Sequence, residues 1–200
     1  MEDLSTALTR SRNGVTDKRA ALLIAATELF ARNGLQSVST AAIARKAGVA
    51  NGTLFVYFET KEQLLNELYV EIVAEFVGSC KANMGLADSP KERLRAYWFG
   101  FARWYFNHRD AATVKIQCEI SSVLRPEMEA RKDAMEAEMI RACFPGLLER
   151  FEGTLMRYVN YAFIAGPVQV LAQMEDKGEI EITEELLEEV FERVEKVVLL

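Results

Sequence analysis

The stretch AGVANGTLFVYFETKEQLL, residues 47–65, decides the fold of this chain because it lies between two runs with clear helical periodicity. Its middle part, GVANGTLFVYF, holds two glycines and several β-branched and aromatic residues, and it carries no charge. Glycine and β-branched residues are poor helix formers. We therefore expect a turn at Gly48, which tolerates a positive φ, followed by a short helix that Leu54 and Phe58 anchor to its neighbours.

The flanking residues supply helices on both sides of this stretch. A first helix is predicted after Thr16, with apolar residues at helical spacing, and it ends at Asn33-Gly34. A second begins near Ser39 or Thr40 and stops at Gly48. A long fourth helix begins at Thr60, where Gln63 completes a capping box. Three short helices with a tight turn between the second and third favour a helix-turn-helix.

The remainder of the chain also has the pattern of helices, and no segment has the two-residue period of a sheet. The predicted fold class is all-α with about nine helices: a three-helix head is joined through the long fourth helix to a larger helical-bundle body. The predicted domains are a flexible arm at 1–15, the helix-turn-helix at 16–60 and the body at 61–200. Ser89-Pro90 with Glu92 marks the start of a helix that is apolar nearly all round and should be central, and Asp110 is expected to cap the next helix, to about Leu124. Pro126 and Thr183 are further start signals, and Gly166-Pro167 is expected to interrupt a long helix.

Composition and charge argue against a membrane protein and against a disulfide-bonded protein. Half of the 200 residues are apolar, yet no run approaches a membrane-spanning length, and no signal-peptide pattern is present, so no membrane partner is expected. Three scattered cysteines without CxxC spacing indicate reduced core thiols and a cytoplasmic location. The net charge is −6, but residues 1–61 hold eight Lys/Arg against five Asp/Glu, so this part is weakly basic and the rest is acidic.

Residues 18–68 resemble the DNA-binding domain of the TetR family of bacterial transcriptional regulators. The segments AATELFARNG, IARKAGV, GTLFVYF and KEQLL occur in order and at the spacing of that family. The body resembles the family only in helix count, length and the segment GPVQVLA. The resemblance implies a regulator that binds double-stranded operator DNA.

The resemblance also implies the roles of individual residues. Thr40 and Lys61 match phosphate-binding positions. The turn and the recognition helix hold the other DNA-binding candidates: Val49, Ala50, Asn51, Gly52, Thr53, Phe55, Val56 and Tyr57. This chain departs from the family in three places: Ala50 stands where serine is common, Phe55 where tyrosine is usual, and Val56-Tyr57 where a tyrosine-histidine pair is more common. The operator sequence therefore does not transfer, and we expect Val56 to be suited to a thymine methyl group.

Each of these positions also has a purely structural interpretation. Lys61 is alternatively a solvated lysine, although a cation at a helix start opposes the helix dipole and favours a nearby anion. Thr40 is alternatively only the cap of the second helix. Phe55 is as compatible with the core as with a DNA-facing position.

The family resemblance implies that the body dimerises and holds a small-molecule effector. Candidate dimer residues are Val159, Ala162, Gly166, Gln169, Leu186, Val190 and Val194, which alternatively cover the chain's own core. Candidate ligand residues are Trp98, Phe101, Tyr105, Met135, Met139 and Tyr158, whose alternative is ordinary core packing. Aromatic and methionine-rich linings suit a largely apolar effector.

The predicted function is therefore a ligand-responsive regulator, a repressor that binds a pseudo-palindromic operator as a homodimer and is released by the effector. An activator, or a DNA binder without an inducer, is the alternative. A helical enzyme is a weaker alternative, since the chain has one histidine, no phosphate-binding glycine loop and no nucleophile motif. We expect no enzymatic activity, no catalytic residue, no metal and no cofactor.

Overall fold

The computed structural model describes residues 18–82, 84, 87–143 and 160–199. Within these ranges the chain is helical and contains no β-strand, which confirms the all-α prediction. None of the described helices is both long and apolar enough to cross a bilayer. The predicted arm at 1–15 lies outside the described residues. The helices are α1 Lys18–Asn33, α2 Thr40–Lys46, α3 Asn51–Tyr57, α4 Lys61–Ala82, α5 Pro90–Asn107, α6 Arg109–Glu119, α7 Pro126–Cys143, α8 Gly166–Asp176 and α9 Glu184–Val198, with a π-helix at Asn160–Ala165.

The described residues form two compact units. Unit 1 comprises those up to Glu75 together with Asn107–Met135, and unit 2 comprises Phe76–Phe106 together with those from Glu136 onward. Helix α4 contributes residues to both units. The two units are defined by which residues pack together. The boundary between functional domains at residue 60 therefore stays a prediction.

The core of unit 1 forms around helix α1, which packs against α2, α3 and α6. Five side chains from α1, α2, α3 and the C-cap residue of α3 are completely buried there: Leu22, Phe30, Ile43, Leu54 and Phe58. Full burial of such a side chain contributes about 1.5–3 kcal/mol, so packing holds the short helices α2 and α3 in place. Polar ties add to this core: the Arg19 guanidinium donates to Glu67 at 2.9 Å and lies 5.7 Å from the centre of the Phe58 ring.

The core of unit 2 forms where the aromatic residues of α5 meet α9. Trp98 is fully buried, and its ring centre lies 5.8 Å from that of Phe191. At the edge of this cluster Arg95 binds Glu188 and stacks 4.5 Å above the Phe99 ring. A long apolar helix, α5, is therefore central to this unit, as its sequence predicts.

Three predicted helix starts are confirmed by their capping hydrogen bonds. The Thr60 hydroxyl accepts from the Gln63 amide at 3.0 Å, and the Ser89 hydroxyl accepts from the Glu92 amide at 3.2 Å. The Glu92 carboxylate accepts in turn from the Ser89 amide at 3.0 Å, and this bond lowers the pKa of Glu92. At α9 the Thr183 hydroxyl accepts from the Leu186 amide at 3.1 Å.

The predicted bounds of α6 are wrong at both ends. The cap position is His108 rather than Asp110, which lies in the first turn, and the helix ends at Glu119 rather than near Leu124. The early end has a tertiary cause. The buried Asn66 side chain on α4 donates to the Val123 carbonyl at 3.2 Å and accepts from the Arg125 amide at 2.9 Å, which holds this segment out of the helix.

The interruption predicted at Gly166-Pro167 is present as a change from π-helix to α-helix. Pro167 has no amide hydrogen and its ring crowds the preceding turn, and a widened turn relieves both problems. A Cβ on Gly166 would lie 2.8 Å from the Tyr161 carbonyl oxygen, so only glycine permits this close approach. The part of the predicted long helix before Asn160 lies outside the described residues.

The cysteines agree with the prediction of core thiols. Cys80 and Cys118 are both buried. Burial raises the pKa of the Cys118 thiol to about 12, so the thiol stays protonated at neutral pH and is a poor nucleophile. The side chain of Cys143 lies outside the described residues.

Candidate nucleic-acid interface

The turn between α2 and α3 is built from the hydrogen bonds that close α2. The Ser39 hydroxyl caps α2 by accepting from the Ala42 amide at 3.2 Å. At the other end Gly48 has a φ of 70° and donates to Arg45, while Val49 donates to Ala44 at 3.0 Å. This pair of bonds closes the helix with a left-handed glycine, as predicted for Gly48. It places the start of α3 directly after the end of α2.

Helix α3 is short and is held by two buried residues. Leu54 and Phe58 are both completely buried, whereas Ala50 occupies the cap position without a side-chain hydrogen bond. Alanine at the cap position therefore leaves the start of α3 without a side-chain cap, and Asn51 is the first residue of the helix. The orientation of α3 therefore depends on its two anchors and on the turn at Gly48.

The outward face of α3 exposes three consecutive large side chains. Phe55 is 46% exposed, Val56 80% and Tyr57 39%, so Phe55 lies at the surface and not in the core. Asn51 and Gly52 are also exposed, while Val49 and Thr53 are half-buried. Exposed apolar side chains grouped on one short helix indicate a contact surface. The recognition-helix candidates therefore share one accessible surface.

The two predicted phosphate-binding residues lie at the starts of the flanking helices. The Lys61 ammonium donates to the Gln36 carbonyl at 3.1 Å and lies 5.8 Å from the centre of the Phe30 ring. These contacts orient it while leaving two of its three N–H donors for an anion. Thr40 is the first residue of α2 and half-buried, and because Ser39 provides the cap, the hydroxyl of Thr40 is not needed for that role.

Comparisons with known proteins agree with this geometry. Residues 22–68 match the family described as "Bacterial regulatory proteins, tetR family". The crystal structure of a TetR family transcription regulator from Marinobacter aquaeolei VT8 superposes with a TM-score of 0.79 at 25% sequence identity, and the match covers 88% of this chain and 93% of that one. In residues 22–68 the chain belongs to the TetR family of bacterial regulatory proteins. Membership of a family of regulators agrees with the expectation that the chain is not an enzyme.

A sequence relative of this TetR-family chain and a solved structure of similar fold come from Bacillus subtilis. The fatty acid metabolism regulator protein is 34% identical over 73 residues, which are 36% of this chain and 38% of the relative. The chain spans about half the length of two other curated relatives. The structure of a transcriptional regulator FadR in complex with stearoyl-CoA superposes with a TM-score of 0.66 at 20% identity, covering 87% of this chain and 96% of that chain, and so shows a shared fold.

The predicted effector residues of this TetR-family chain divide between the two units. Trp98, Phe101 and Met139 are buried in unit 2 and Tyr105 is half-buried there, whereas the half-buried Met135 belongs to unit 1. Tyr158 lies outside the described residues. Within unit 2 the ring centres of Phe101 and Tyr105 are 6.1 Å apart, and Phe76 lies 5.5 Å from Phe101. Periodicity along α4 could have identified Phe76 as a further member of this cluster.

One buried polar atom of unit 2, on Trp98, has no hydrogen-bond partner among the described residues. The Nε1 atom of Trp98 is buried and makes no hydrogen bond to any described residue. A buried indole N–H normally has an acceptor, so an unpaired one in an apolar cluster is unusual and identifies a position where an acceptor from a ligand would be stabilising.

The predicted dimer residues lie on α9 and around the π-helix. Ala162 is exposed, Gly166, Gln169, Leu186 and Val190 are partly exposed, and Val159 lies outside the described residues. Val194 is only 5% exposed and packs in the chain's own core together with Leu187 and Phe191. The exposed stripe of α9 continues instead to Val197, and Val170 is exposed on α8. Val194 and Val197 lie four and seven residues after Val190, so helical periodicity places both near it without stating which of the two is exposed.

Proposed function

We propose that this chain is a repressor that binds a pseudo-palindromic DNA operator as a homodimer and is released by a small, largely apolar effector. A DNA-binding protein that acts on bacterial genes works in the cytoplasm. The observation that carries the proposal is the uncharged helix α3, which exposes Phe55, Val56 and Tyr57 while Leu54 and Phe58 hold it from beneath. A major groove admits a helix of this size, and base edges are read there.

In this proposal the residues that bind DNA phosphates lie on the helices that flank α3. Lys61 is oriented by the Gln36 carbonyl, and Thr40 is relieved of capping by Ser39. Residues that contact phosphates position a protein on DNA without reading its sequence. Because the flanking helices would bind the phosphates, the uncharged recognition helix would be available for base contacts.

The dimer of this proposal uses the exposed stripe of α9, Leu186, Val190 and Val197, together with Ala162 and Val170. Helix-turn-helix proteins read palindromic sites as dimers whose half-sites are about one DNA turn apart. The inner stripe of α9 is already covered by the chain's own core, so the outer stripe is the surface that a second copy would cover. Its small residues would permit close packing.

The effector of this proposal occupies the aromatic cluster of unit 2 and accepts a hydrogen bond from Trp98. The Bacillus subtilis structure of similar fold contains stearoyl-CoA, and the Bacillus subtilis relative in sequence is named for fatty acid metabolism. A long-chain acyl-CoA combines an apolar tail with carbonyl acceptors, so this class is the first to test. Because α4 belongs to both units, a change in it would couple effector affinity and DNA affinity reciprocally.

Salt-dependent DNA binding tests the first part of the proposal. Operator fragments selected by the full chain from random-sequence DNA are titrated at several salt concentrations. We expect affinity to fall steeply with salt, and Lys61→Ala to weaken binding to every sequence and reduce the salt slope by about one per half-site. Lys177→Ala, which removes an exposed lysine of unit 2, is the control and should leave both unchanged. Asn51→Ala should instead change the preference among sequences. Salt-insensitive or sequence-blind binding would contradict the proposal.

Tryptophan fluorescence tests the effector. Trp98 and Trp104 are the two tryptophans of the chain and both are buried. We expect stearoyl-CoA to change their emission and to release operator DNA, while coenzyme A alone does neither. Trp98→Phe keeps the aromatic ring but removes the N–H donor, so it should weaken binding of the acyl compound several-fold. An acyl-CoA that binds without any change in operator affinity would contradict the coupling.

A further inference from the structure

The exposed surface of α3 divides into three pairs of residues four apart, since such residues lie one above the other on a helix. Leu54 points inward. Gly52 and Val56 form the crest of the helix, on the side away from Leu54. Asn51 with Phe55 and Thr53 with Tyr57 form the two flanks. The crest is the part that reaches deepest into a groove.

The crest is small, apolar and unable to form side-chain hydrogen bonds. Val56 is 80% exposed, so its two methyl groups project into solvent. Beyond its own helix, none of the residues that the structure describes has an atom within 4 Å of where a Cβ on Gly52 would lie, and Gly52 does not have a positive φ, so neither packing nor backbone conformation requires glycine there. A glycine that the fold around it does not require, one turn before a largely exposed valine, suits the close approach of an external surface.

The chemistry of the major groove restricts what such a crest can recognise. The groove presents hydrogen-bond donors and acceptors from all four bases and one apolar group, the C5-methyl of thymine. Val56 offers no donor or acceptor, so it cannot distinguish bases by hydrogen bonding. Apolar contact with a pyrimidine methyl group is the base-specific interaction that remains open to it.

We propose that the crest formed by Gly52 and Val56 reads the C5-methyl group of a pyrimidine in the operator half-site. This inference rests on the proposed DNA-binding function and deepens it by naming the chemical group that the recognition helix reads. The same methyl group occurs in thymine and in 5-methylcytosine. The glycine lets the helix approach closely enough for the valine methyls to cover it, and the other side chains of α3 contact the neighbouring positions.

Removing single methyl groups from the DNA tests this inference. In an operator selected by the full chain, each thymine is replaced in turn by uracil, which lacks only the methyl group. At one position per half-site we expect affinity to fall about fourfold, because the free energy gained by burying one methyl group is lost. At that position a G·C pair carrying cytosine is also compared with one carrying 5-methylcytosine. A methyl effect in both kinds of base pair assigns recognition to the methyl group itself, and an effect confined to A·T pairs assigns it to thymine.

Protein variants connect the effect to the crest. Val56→Ala should reduce the difference between thymine and uracil to near unity while the salt dependence of binding stays as in the unaltered chain. Ile120→Ala removes a side chain that is 81% exposed elsewhere in unit 1 and should keep the fourfold difference. Equal binding of the uracil and thymine operators at every position would overturn this inference and leave the DNA-binding function intact. Failure to select any operator would overturn the proposed function instead.

Discussion

Helices α3 and α9 both expose apolar side chains, but the charges around them differ. Helix α3 carries no charged residue, and Lys61 begins the next helix. Helix α9, which exposes Val197, carries six glutamates against one arginine and one lysine, a net charge of 2 − 6 = −4. Glutamates repel DNA phosphates, so the stripe of α9 suits a protein surface, whereas α3 can enter a groove. The difference shows that the charge near an apolar surface selects the kind of partner.

The two helices also differ in what stabilises them. Helix α3 has seven residues, no side-chain cap and a composition that disfavours helix, so it depends on Leu54 and Phe58. Helix α9 has fifteen residues, the Thr183 cap and an ion pair between Arg193 and Glu189 at 2.8 Å. Local interactions therefore add to the tertiary packing of α9, while α3 depends on its packing.

The largest effect should come from removing the aromatic anchors. Phe58→Ala and Phe191→Ala each delete a fully buried ring and should each lower the free energy of unfolding by about 3–5 kcal/mol, measured by denaturant titration. Only Phe58→Ala should also remove operator binding under conditions where the chain remains folded, because α3 loses an anchor. An unchanged operator affinity in Phe58→Ala would break the distinction between the two helices.

A charge on the exposed stripe should separate the proposed dimer. Val197→Glu and Val170→Glu would each bury an unpaired carboxylate in the interface, and the dimer dissociation constant should rise at least about a hundredfold in sedimentation experiments. Ile120→Glu places the same charge on a more exposed position in unit 1 and should leave the dissociation constant unchanged. If all three variants sediment like the unaltered chain, the stripe is not the interface.

Adding a cap to α3 and removing the cap of α9 should change the free energy of unfolding in opposite directions. Ala50→Ser supplies the cap that α3 lacks and should raise the free energy of unfolding by about 1 kcal/mol, whereas Thr183→Ala should lower it by a similar amount. Ser39→Ala, which removes the cap of α2, is the matched loss within unit 1. If Ala50→Ser does not raise the free energy of unfolding, the backbone amides at the start of α3 already have hydrogen-bond partners.

The smallest effect should be the acid sensitivity of α9. The hydrogen bond from Arg95 holds the pKa of Glu188 below its ordinary value of 4.5. The bond therefore stabilises the folded chain above that pH and is lost as the pH falls through the lower pKa of the folded state. Because the pair is exposed, its contribution is below about 1 kcal/mol. Glu188→Gln should lose less thermal stability between pH 7 and pH 3 than the unaltered chain, while the exposed control Glu192→Gln should not differ from it.

Most helix starts and the recognition stretch could be predicted because they depend on neighbours in sequence. Thr60 with Gln63, Ser89 with Glu92, and Thr183 each signal a cap within four residues of chain. The end of α6 could not be predicted, because Asn66 binds Val123 and Arg125 from another helix. The cap of α2 was open between two adjacent hydroxyls, and the geometry selects Ser39.

The sequence by itself determined that this chain is helical, that Gly48 turns the chain between two short helices, and that an uncharged third helix follows. These features follow from backbone conformation and from hydrogen bonds that span a few residues. Only the tertiary structure decided that Phe55 faces solvent, that Val194 is buried and Val197 exposed, and that Thr40 is released from capping. The physical reason is that exposure depends on which distant segments cover a side chain, and periodicity places several apolar residues on a helix without stating which face is covered.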